Sequence, residues 1–273
     1  MRGHERRAKN AGPGQGHVGL ARALSKMGFC SRSEAFERVC AGSVRLNGSV
    51  VKNPEVAVRL GKDRIEVDGA EVKRAERVYW MLNKPHNMVT TADDEKGRET
   101  VYAKLPKGLP WMSPVGRLDK ASEGLLLFTN DTEWAARVTA PESHLDKVYH
   151  VQIGAVTTDE LLVKLVRGMQ VESGEIFRAK LARRIRQGEK NSWIELVLDE
   201  GKNRQIRRML EMLGIEVLRL IRVAIGPLRL GELAKGEARA LSANEKASID
   251  RAQRIQLQQP ARENTGKSEW QTR

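Results

Sequence analysis

The sequence predicts an α+β protein in which a small helix–helix–hairpin unit precedes a larger domain on a mixed, mostly antiparallel sheet. Three observations predict it. Two short amphipathic stretches and an Asn-Gly hairpin signal follow one another between residues 17 and 70. A charged stretch poor in apolar residues, 71–77, then breaks the pattern. Beyond it, strand-length runs joined by links suited to antiparallel pairing recur from residue 78 to 241 with only a few helices between them, unlike a regular strand–helix alternation.

Residues 1–16 are basic, Gly-rich and nearly free of large apolar side chains, so a disordered tail is expected there. Leu20, Ala23, Leu24 and Met27 recur at helical spacing, with Gly28 placed to end the helix. Ser31 and Glu34 read as a capping box for a second helix whose inner face is expected at Phe36, Val39 and Cys40, stopped by Gly42. Val44-Arg45-Leu46 and Ser49-Val50-Val51 flank Asn47-Gly48, a strong hairpin signal, and a further strand at Arg64 to Val67 ends at Asp68-Gly69.

After the expected linker, Val78 to Leu82 is a strand ended by Asn83-Lys84-Pro85, and Met88 to Arg98 is mixed strand and loop. Ser113 to Asp131 is a polar loop feeding a buried strand. Gly116-Arg117-Leu118-Asp119 makes the loop, Gly124 a second hinge, and Leu125 to Phe128 an apolar run of strand length. Asn130-Asp131 offers a turn before a helix from Thr132 to Val138, ended by Pro141. Lys147 to Ile153 alternates like a strand with one buried face. Thr157 to Glu160 reads as a capping box for a helix with Leu161, Leu162, Leu165 and Val166 inward. Ser192 to Leu198 is a strand running into a loop and a helix carrying Ile206, Leu210 and Leu213, with Gly214 as cap. A strand from Val217 to Ile225 stops at Gly226-Pro227. Ser242 to Glu245 opens a last helix, 242–257, and a Gln-rich tail, 258–273, is expected to be disordered.

Charge bounds the function. The net charge is +13 over 273 residues, with a pI near 10.0, which points to a polyanionic partner. Tails supply part of it: Arg2, Arg6, Arg7 and Lys9 stand against Glu5, and five cations from Arg251 onward against Glu263 and Glu269. The part between them stays basic. Cys30 and Cys40 match neither a zinc site nor a redox pair, and the five histidines show no ligand spacing, so no metal is expected. No Gly-x-Gly-x-x-Gly and no P-loop occurs, which argues against a dinucleotide or nucleoside triphosphate cofactor. No membrane span or signal peptide is apparent, so the cytoplasm is the expected compartment and a monomer the expected state.

Four motifs then stand in order: Asn83-Lys84-Pro85, Gly116-Arg117-Leu118-Asp119, Lys147-Val148-Tyr149, and Glu200-Gly201-Lys202-Asn203-Arg204-Gln205-Ile206-Arg207-Arg208-Met209. Together, over residues 17–240, they resemble the RsuA type of ribosomal-RNA pseudouridine synthases. The order helix, Ser-Arg-x-Glu helix and Val-Arg-Leu-Asn-Gly hairpin ahead of them resembles the RNA-binding module first described in a small-subunit ribosomal protein, which commonly precedes that catalytic domain.

The resemblance implies conversion of a uridine in ribosomal RNA, expected in the large-subunit 23S species, to pseudouridine. That chemistry breaks the N-glycosidic bond, rotates the flipped-out base and rejoins it through carbon. It needs no redox partner, nucleotide or metal, so no cofactor is expected. Asp119 would be the catalytic carboxylate, as nucleophile or as base, with Arg207 as its pairing cation and Tyr149 stacked on the uracil. Arg117 would fill the space left by the flipped base or hold a phosphate. Lys202, Arg204 and Arg208 are expected phosphate contacts, and Lys84 a further RNA contact at the cleft edge. Lysine at 202 departs from the usual arginine, which a phosphate contact tolerates. In the small module Arg22, Lys26, Arg32, Arg38 and Arg45 form the expected RNA-binding face. A free rRNA or a ribosomal precursor particle is the expected partner. Two rivals remain: an inactive relative that only binds rRNA or assists assembly, and a glycosidase, which would need Glu123 as a second carboxylate.

Overall fold

The computed structural model describes residues 17–258 apart from 93, 95 and 172, so the tails expected at 1–16 and, Gln258 excepted, 258–273 lie outside the described residues. The chain divides into two compact units. The first runs to Val78 and includes Pro106–Ser113 and Phe128–Thr132, and the second holds the rest.

The first unit begins with β1 (His17–Gly19), α1 (Leu20–Lys26) and α2 (Arg32–Cys40). Gly28 follows α1 at φ +78°, the left-handed backbone a helix end commonly needs. Ser31 caps α2 by accepting from the Glu34 amide at 3.0 Å. The buried face of α2 is Ala35 and Val39, one turn apart, whereas Phe36 is 51 % exposed and Cys40 is exposed too. The expected inner face was therefore rotated, because the small Ala35 lets α2 approach α1 closely and the helical phase follows that contact.

β2 (Val44–Leu46) and β3 (Ser49–Val50) close on Asn47-Gly48, both left-handed at φ +52° and +85° as a type I′ turn requires. β4 (Ala57–Arg59) pairs with β1, and β5 (Ile65–Val67) turns through Asp68-Gly69 into β6 (Ala70–Glu71). The four-stranded sheet runs β3-β2-β5-β6. Of the stretch read as a linker, Glu71 thus lies in a strand and Val72 is buried in the first core beside Leu20, Leu24 and Ile65.

The second unit is organised on a nine-stranded sheet. In chain order its elements are β7 (Tyr79–Lys84), β8 (Ser113–Val115), β9 (Glu123–Thr129), α3 (Thr132–Thr139), β10 (Lys147–Ile153) and α4 (Asp159–Arg167). The short hairpin of β11 (Met169–Gln170) and β12 (Ile176–Phe177) comes next, then β13 (Leu181–Gln187), β14 (Ser192–Leu198) and α5 (Gln205–Glu211). β15 (Val217–Ile225), β16 (Leu228–Arg229), β17 (Ala238–Ala240) and α6 (Ala243–Gln258) complete it. The strand order is β13-β14-β10-β15-β9-β7-β17, with β8 against β9 and β16 against β15. From β13 through β14 and β10 to β15 each adjacent pair is antiparallel and β15–β9 is parallel, so the sheet is mixed and the class α+β.

All seven residues of β9 are buried, which explains its unbroken apolar run. Gly124 is not a hinge but a strand residue at φ +100°, and a Cβ there would overlap the Arg222 carbonyl oxygen of β15. The absence of a side chain lets the two strands meet, in the registers Glu123↔Ile221 and Gly124↔Arg222. One face of the sheet packs Met81, Leu125, Leu127 and Ile225 against Trp134 of α3 and Ile249 of α6.

Two further expectations change. α4 is capped by Thr158, which accepts from the Leu161 amide, rather than by Thr157, whose own amide donates to Ser192 Oγ. Only Leu161 and Leu165 are buried on α4, and Val166 is 40 % exposed, because one flank of the helix meets solvent. β13 went unread. Its sequence Leu-Ala-Arg-Arg-Ile-Arg-Gln has no apolar alternation, since as an edge strand it is exposed along nearly its whole length.

Candidate active site

Asp119 lies in the loop between β8 and β9, and that loop is bound by its own carbonyls. Thr90 Oγ1 donates to the Leu118 carbonyl at 2.7 Å, and the Ser122 amide to the Asp119 carbonyl at 2.9 Å. The Asn87 amide donates to the Lys120 carbonyl at 2.8 Å, and Arg207 Nη2 to the Ala121 carbonyl at 2.8 Å. Lys84 Nζ donates to the Ser122 carbonyl at 2.8 Å, to Pro85 at 3.0 Å and to Lys120 at 3.4 Å. Every carbonyl from Leu118 to Ser122 therefore has a donor. The Asp119 backbone is held while its side chain stays 36 % exposed.

Lys84 thus corrects an expectation. It is fully buried, and its ammonium clamps the loop instead of reaching toward RNA. Burial pulls that ammonium down to about 8, against the opposing pull of the Glu123 and Asp119 charges.

The loop opens on a cleft of about 960 Å³, lined by Arg117, Asp119, Tyr149, Lys202 and Arg204 together with apolar walls that include Val89, Leu118, Leu198 and Leu220. Tyr149 stands on β10, 9 % exposed, across from Leu196 of β14 and Arg222 of β15. Arg204, at the head of α5 in a left-handed conformation of φ +51°, reaches Asp119 Oδ2 at 3.9 Å. The expected direct pair between Asp119 and Arg207 is not formed. Arg207 does not line the cleft, and its Nη2 is spent on the Ala121 carbonyl behind the loop. Its Nε is buried without a partner. Burial first and the Arg204 cation second depress the proton affinity of Arg207, while the Asp119 charge acts in the opposite sense.

Arg208 also lies outside the cleft lining, packed over the Phe177 ring at 4.6 Å. Lys202 is offset by Glu200 at 3.1 Å and Glu175 at 3.4 Å. Glu123, the second carboxylate a glycosidase would require, is buried and does not face the cleft. Arg219 grips it through two bonds of 3.1 Å, with Lys235 as a further partner. Among the described residues no cluster of His, Cys, Asp or Glu could hold a metal, and no helix is long and apolar enough to cross a membrane.

Residues 78–212 match the family model of RNA pseudouridylate synthases, and residues 18–65 match that of the S4 domain. Ribosomal large subunit pseudouridine synthase B of Bacillus subtilis is 39 % identical over 83 % of this chain and 93 % of its own length. The chain belongs to the RNA pseudouridine synthases. The synthase is of the rRNA-modifying RsuA type, with an S4 module ahead of its catalytic part. An uncharacterized RNA pseudouridine synthase of Aquifex aeolicus is 36 % identical over 86 % of the synthase and 94 % of its own length. A crystal structure of a pseudouridylate synthase superposes with a TM-score of 0.60 at 28 % identity, covering 85 % of this chain and 99 % of that one.

In the S4 module of the synthase, Arg22, Arg32 and Arg45 are exposed and Lys26 half-buried. Arg38 is tied to Glu34 and Asp68, and Arg45 donates to the Gly48 carbonyl. Sequence reasoning missed the loop braces Asn87 and Thr90 and gave no role to the cleft-lining cations Arg98, Lys147 and Arg222. A signal for Arg222 was present. It shares the buried face of β15 with Leu220 and Ala224, where an arginine breaks the apolar alternation.

Proposed function

We propose that the synthase converts a uridine of large-subunit ribosomal RNA to pseudouridine, with Asp119 acting at the sugar–base junction. The carrying observation is the contrast within one loop: the carbonyls from Leu118 to Ser122 are all bonded, yet the Asp119 carboxylate, with Arg204 at 3.9 Å its one ion-pair partner among the described residues, opens on the cleft. A carboxylate so placed is available to add to C1′ or to accept a proton from C2′. Tyr149, which lines the same cleft from β10, would stack on a flipped uracil. Arg117 and Arg204, exposed at the cleft, would hold flanking phosphates, with Lys202 and Arg208 further along the same α5 region. Arg207 would act through the loop, by holding the Ala121 carbonyl.

Residues 17–70 would serve as the RNA-binding unit that docks ribosomal RNA, through Arg22, Lys26, Arg32, Arg38 and Arg45, and residues 78–241 as the catalytic one. The large subunit is favoured because the Bacillus subtilis relative is named for it. The test is pseudouridine mapping in rRNA from cells with and without the gene. Loss of a single site in large-subunit rRNA is expected. A loss confined to small-subunit rRNA, or no loss at all, would overturn the assignment.

A further inference from the structure

The cleft floor holds two cations with no anion of their own. Lys147 and Tyr149 sit two residues apart on β10, hence on one face, and Arg222 is the cross-strand partner of Tyr149 on β15. All three line the cleft. Arg222 is only 6 % exposed. Its Nε donates to the Leu125 carbonyl at 2.8 Å, and its Nη2 is buried with no partner. Lys147 Nζ has a single bond, to the Asp199 carbonyl at 3.3 Å. Burial, and after it the Arg222 charge, lowers the proton affinity of Lys147, while the Asp146, Asp199 and Glu200 charges oppose this.

Neither cation makes an ion pair within 4 Å among the described residues, although the same unit saturates its buried Glu123 with Arg219 and Lys235. Leaving buried charge uncompensated is costly, and at a cleft wall it marks a place where an anion is to be received. We propose that Arg222, with Lys147 beside it, is a catalytic residue that binds the detached uracil as its monoanion. This rests on the pseudouridine-synthase reading of the same cleft.

The chemistry calls for such a group. Breaking C1′–N1 leaves the bonding pair on the base whichever way Asp119 acts. If the carboxylate adds to C1′, an ester forms and uracil departs with the pair. If it takes the C2′ proton, the C2′–H pair becomes a C1′=C2′ bond and uracil again departs with the C1′–N1 pair. Either way the base carries one negative charge spread over N1, O2 and O4. After rotation the pair at C5 forms C5–C1′ while the Asp119 ester bond to C1′ breaks or, on the other route, the C1′=C2′ pair takes back the proton at C2′ from Asp119; C5 then gives up its proton and N1 takes one. A fixed cation beside the ring counters charge that exists only between the two bonds.

Uracil, not a phosphate, suits this position. Arg222 is buried among apolar side chains such as Leu220 and is paired with the Tyr149 backbone. Arg117 and Arg204, by contrast, are exposed, as backbone phosphates require.

The test uses the full chain, a large-subunit rRNA transcript made with uridine or with 5-fluorouridine, and single-turnover conditions at saturating protein. Arg222→Gln, whose amide can still donate to the Leu125 carbonyl, is expected to slow uridine conversion by about 10²-fold. The salt dependence of RNA binding should be unchanged, because no phosphate contact is lost. With 5-fluorouridine, whose base leaves more readily as an anion, the deficit should shrink to less than about 10-fold, since less charge stabilisation is demanded. Nucleosides separated after digestion report both rates, as pseudouridine formed from uridine and as loss of 5-fluorouridine, whose C5 has no proton to give up.

An equal deficit on both RNAs, or an unaffected rate with weaker binding and a shallower salt slope, overturns the proposal. Should Arg222→Gln melt below the assay temperature, Lys147→Gln is read by the same comparison and the same outcomes. A wild-type protein inert on the transcript overturns the reading of the cleft and this inference with it. An active wild type with an unimpaired Arg222→Gln overturns the inference alone.

Discussion

Asp119 and Glu123 stand four residues apart at one loop–strand junction and meet opposite environments. Glu123 has 4 % of its side chain exposed and is gripped by Arg219 through both oxygens and by Lys235. Burial alone would raise its carboxyl, but those bonds outweigh it and hold it below the usual carboxylate range. Asp119 is 36 % exposed, with one guanidinium at 3.9 Å. Its precision comes from the backbone, through the donors on the carbonyls from Leu118 to Ser122. The difference separates architecture from chemistry. A carboxylate whose oxygens are already saturated holds strands together, and one held only through its backbone keeps its oxygens for a substrate. It also removes the glycosidase alternative, since Glu123 has no free oxygen facing the cleft.

The largest effect should come from exchanging the open carboxylate. Asp119→Asn is expected to lower turnover by at least about 10³-fold while leaving fold and RNA affinity within a few-fold. Tritium release from uracil C5 and a filter-binding assay would measure the two. Substantial activity in this variant would sink the role given to Asp119. Glu123→Gln should behave in the opposite way, losing about 1–3 kcal/mol in urea unfolding because its charge-assisted bonds to Arg219 and Lys235 are weakened. Wild-type stability in that variant would break the contrast between the two carboxylates.

Lys84→Met probes the clamp between them. Taking the Lys84 donor from the Ser122 and Pro85 carbonyls, while Lys120 keeps the Asn87 amide, should cost about 1–3 kcal/mol at pH 7 and slow turnover by loosening Asp119. The pH dependence has a definite sign. The Lys84 ammonium titrates at about 8 in the folded protein against 10.5 normally, so between those values the unfolded chain keeps a proton that the folded one has shed. Wild-type stability should therefore rise with pH across that window relative to Lys84→Met, by about 1.4 kcal/mol per unit. A difference between the two that stays flat from pH 8 to 10 would show that the clamp remains charged.

The smallest effect distinguishes the two arginines around Asp119. Arg207→Ala should reduce saturated turnover by roughly 10-fold through the freed Ala121 carbonyl, with RNA affinity little changed. Arg204→Ala should mainly weaken RNA binding and reduce its salt slope by about one. If Arg204→Ala instead gave the larger turnover defect, the direct 3.9 Å contact would be what keeps Asp119 competent.

Local chemistry was legible wherever a residue type has one dominant conformational use. Asn47-Gly48 turned as its composition demands, and Ser242 and Glu245 cap α6 reciprocally, with Glu245 Oε2 accepting from the Ser242 amide and Ser242 Oγ from the Glu245 amide. The apolar run of β9 and the alternation of β10 were legible because burial on two faces or one leaves those patterns. Phase on a short helix was not, as Phe36 and Val166 show, because a single close contact rotates the helix and periodicity over two turns cannot fix that angle.

The order of the motifs alone determined the family, the class of chemistry and which carboxylate to examine, since those depend on residue types at set spacing. Tertiary structure decided what each cation does. Lys84, Arg204, Arg207 and Arg222 are indistinguishable as charges in a sequence, yet one clamps a loop, one meets the carboxylate, one braces from behind and one waits unpaired at the cleft floor. The reason is physical. A charge's role is set by its desolvation and by the partners brought to it, and those partners lie as far as 97 residues away along the chain.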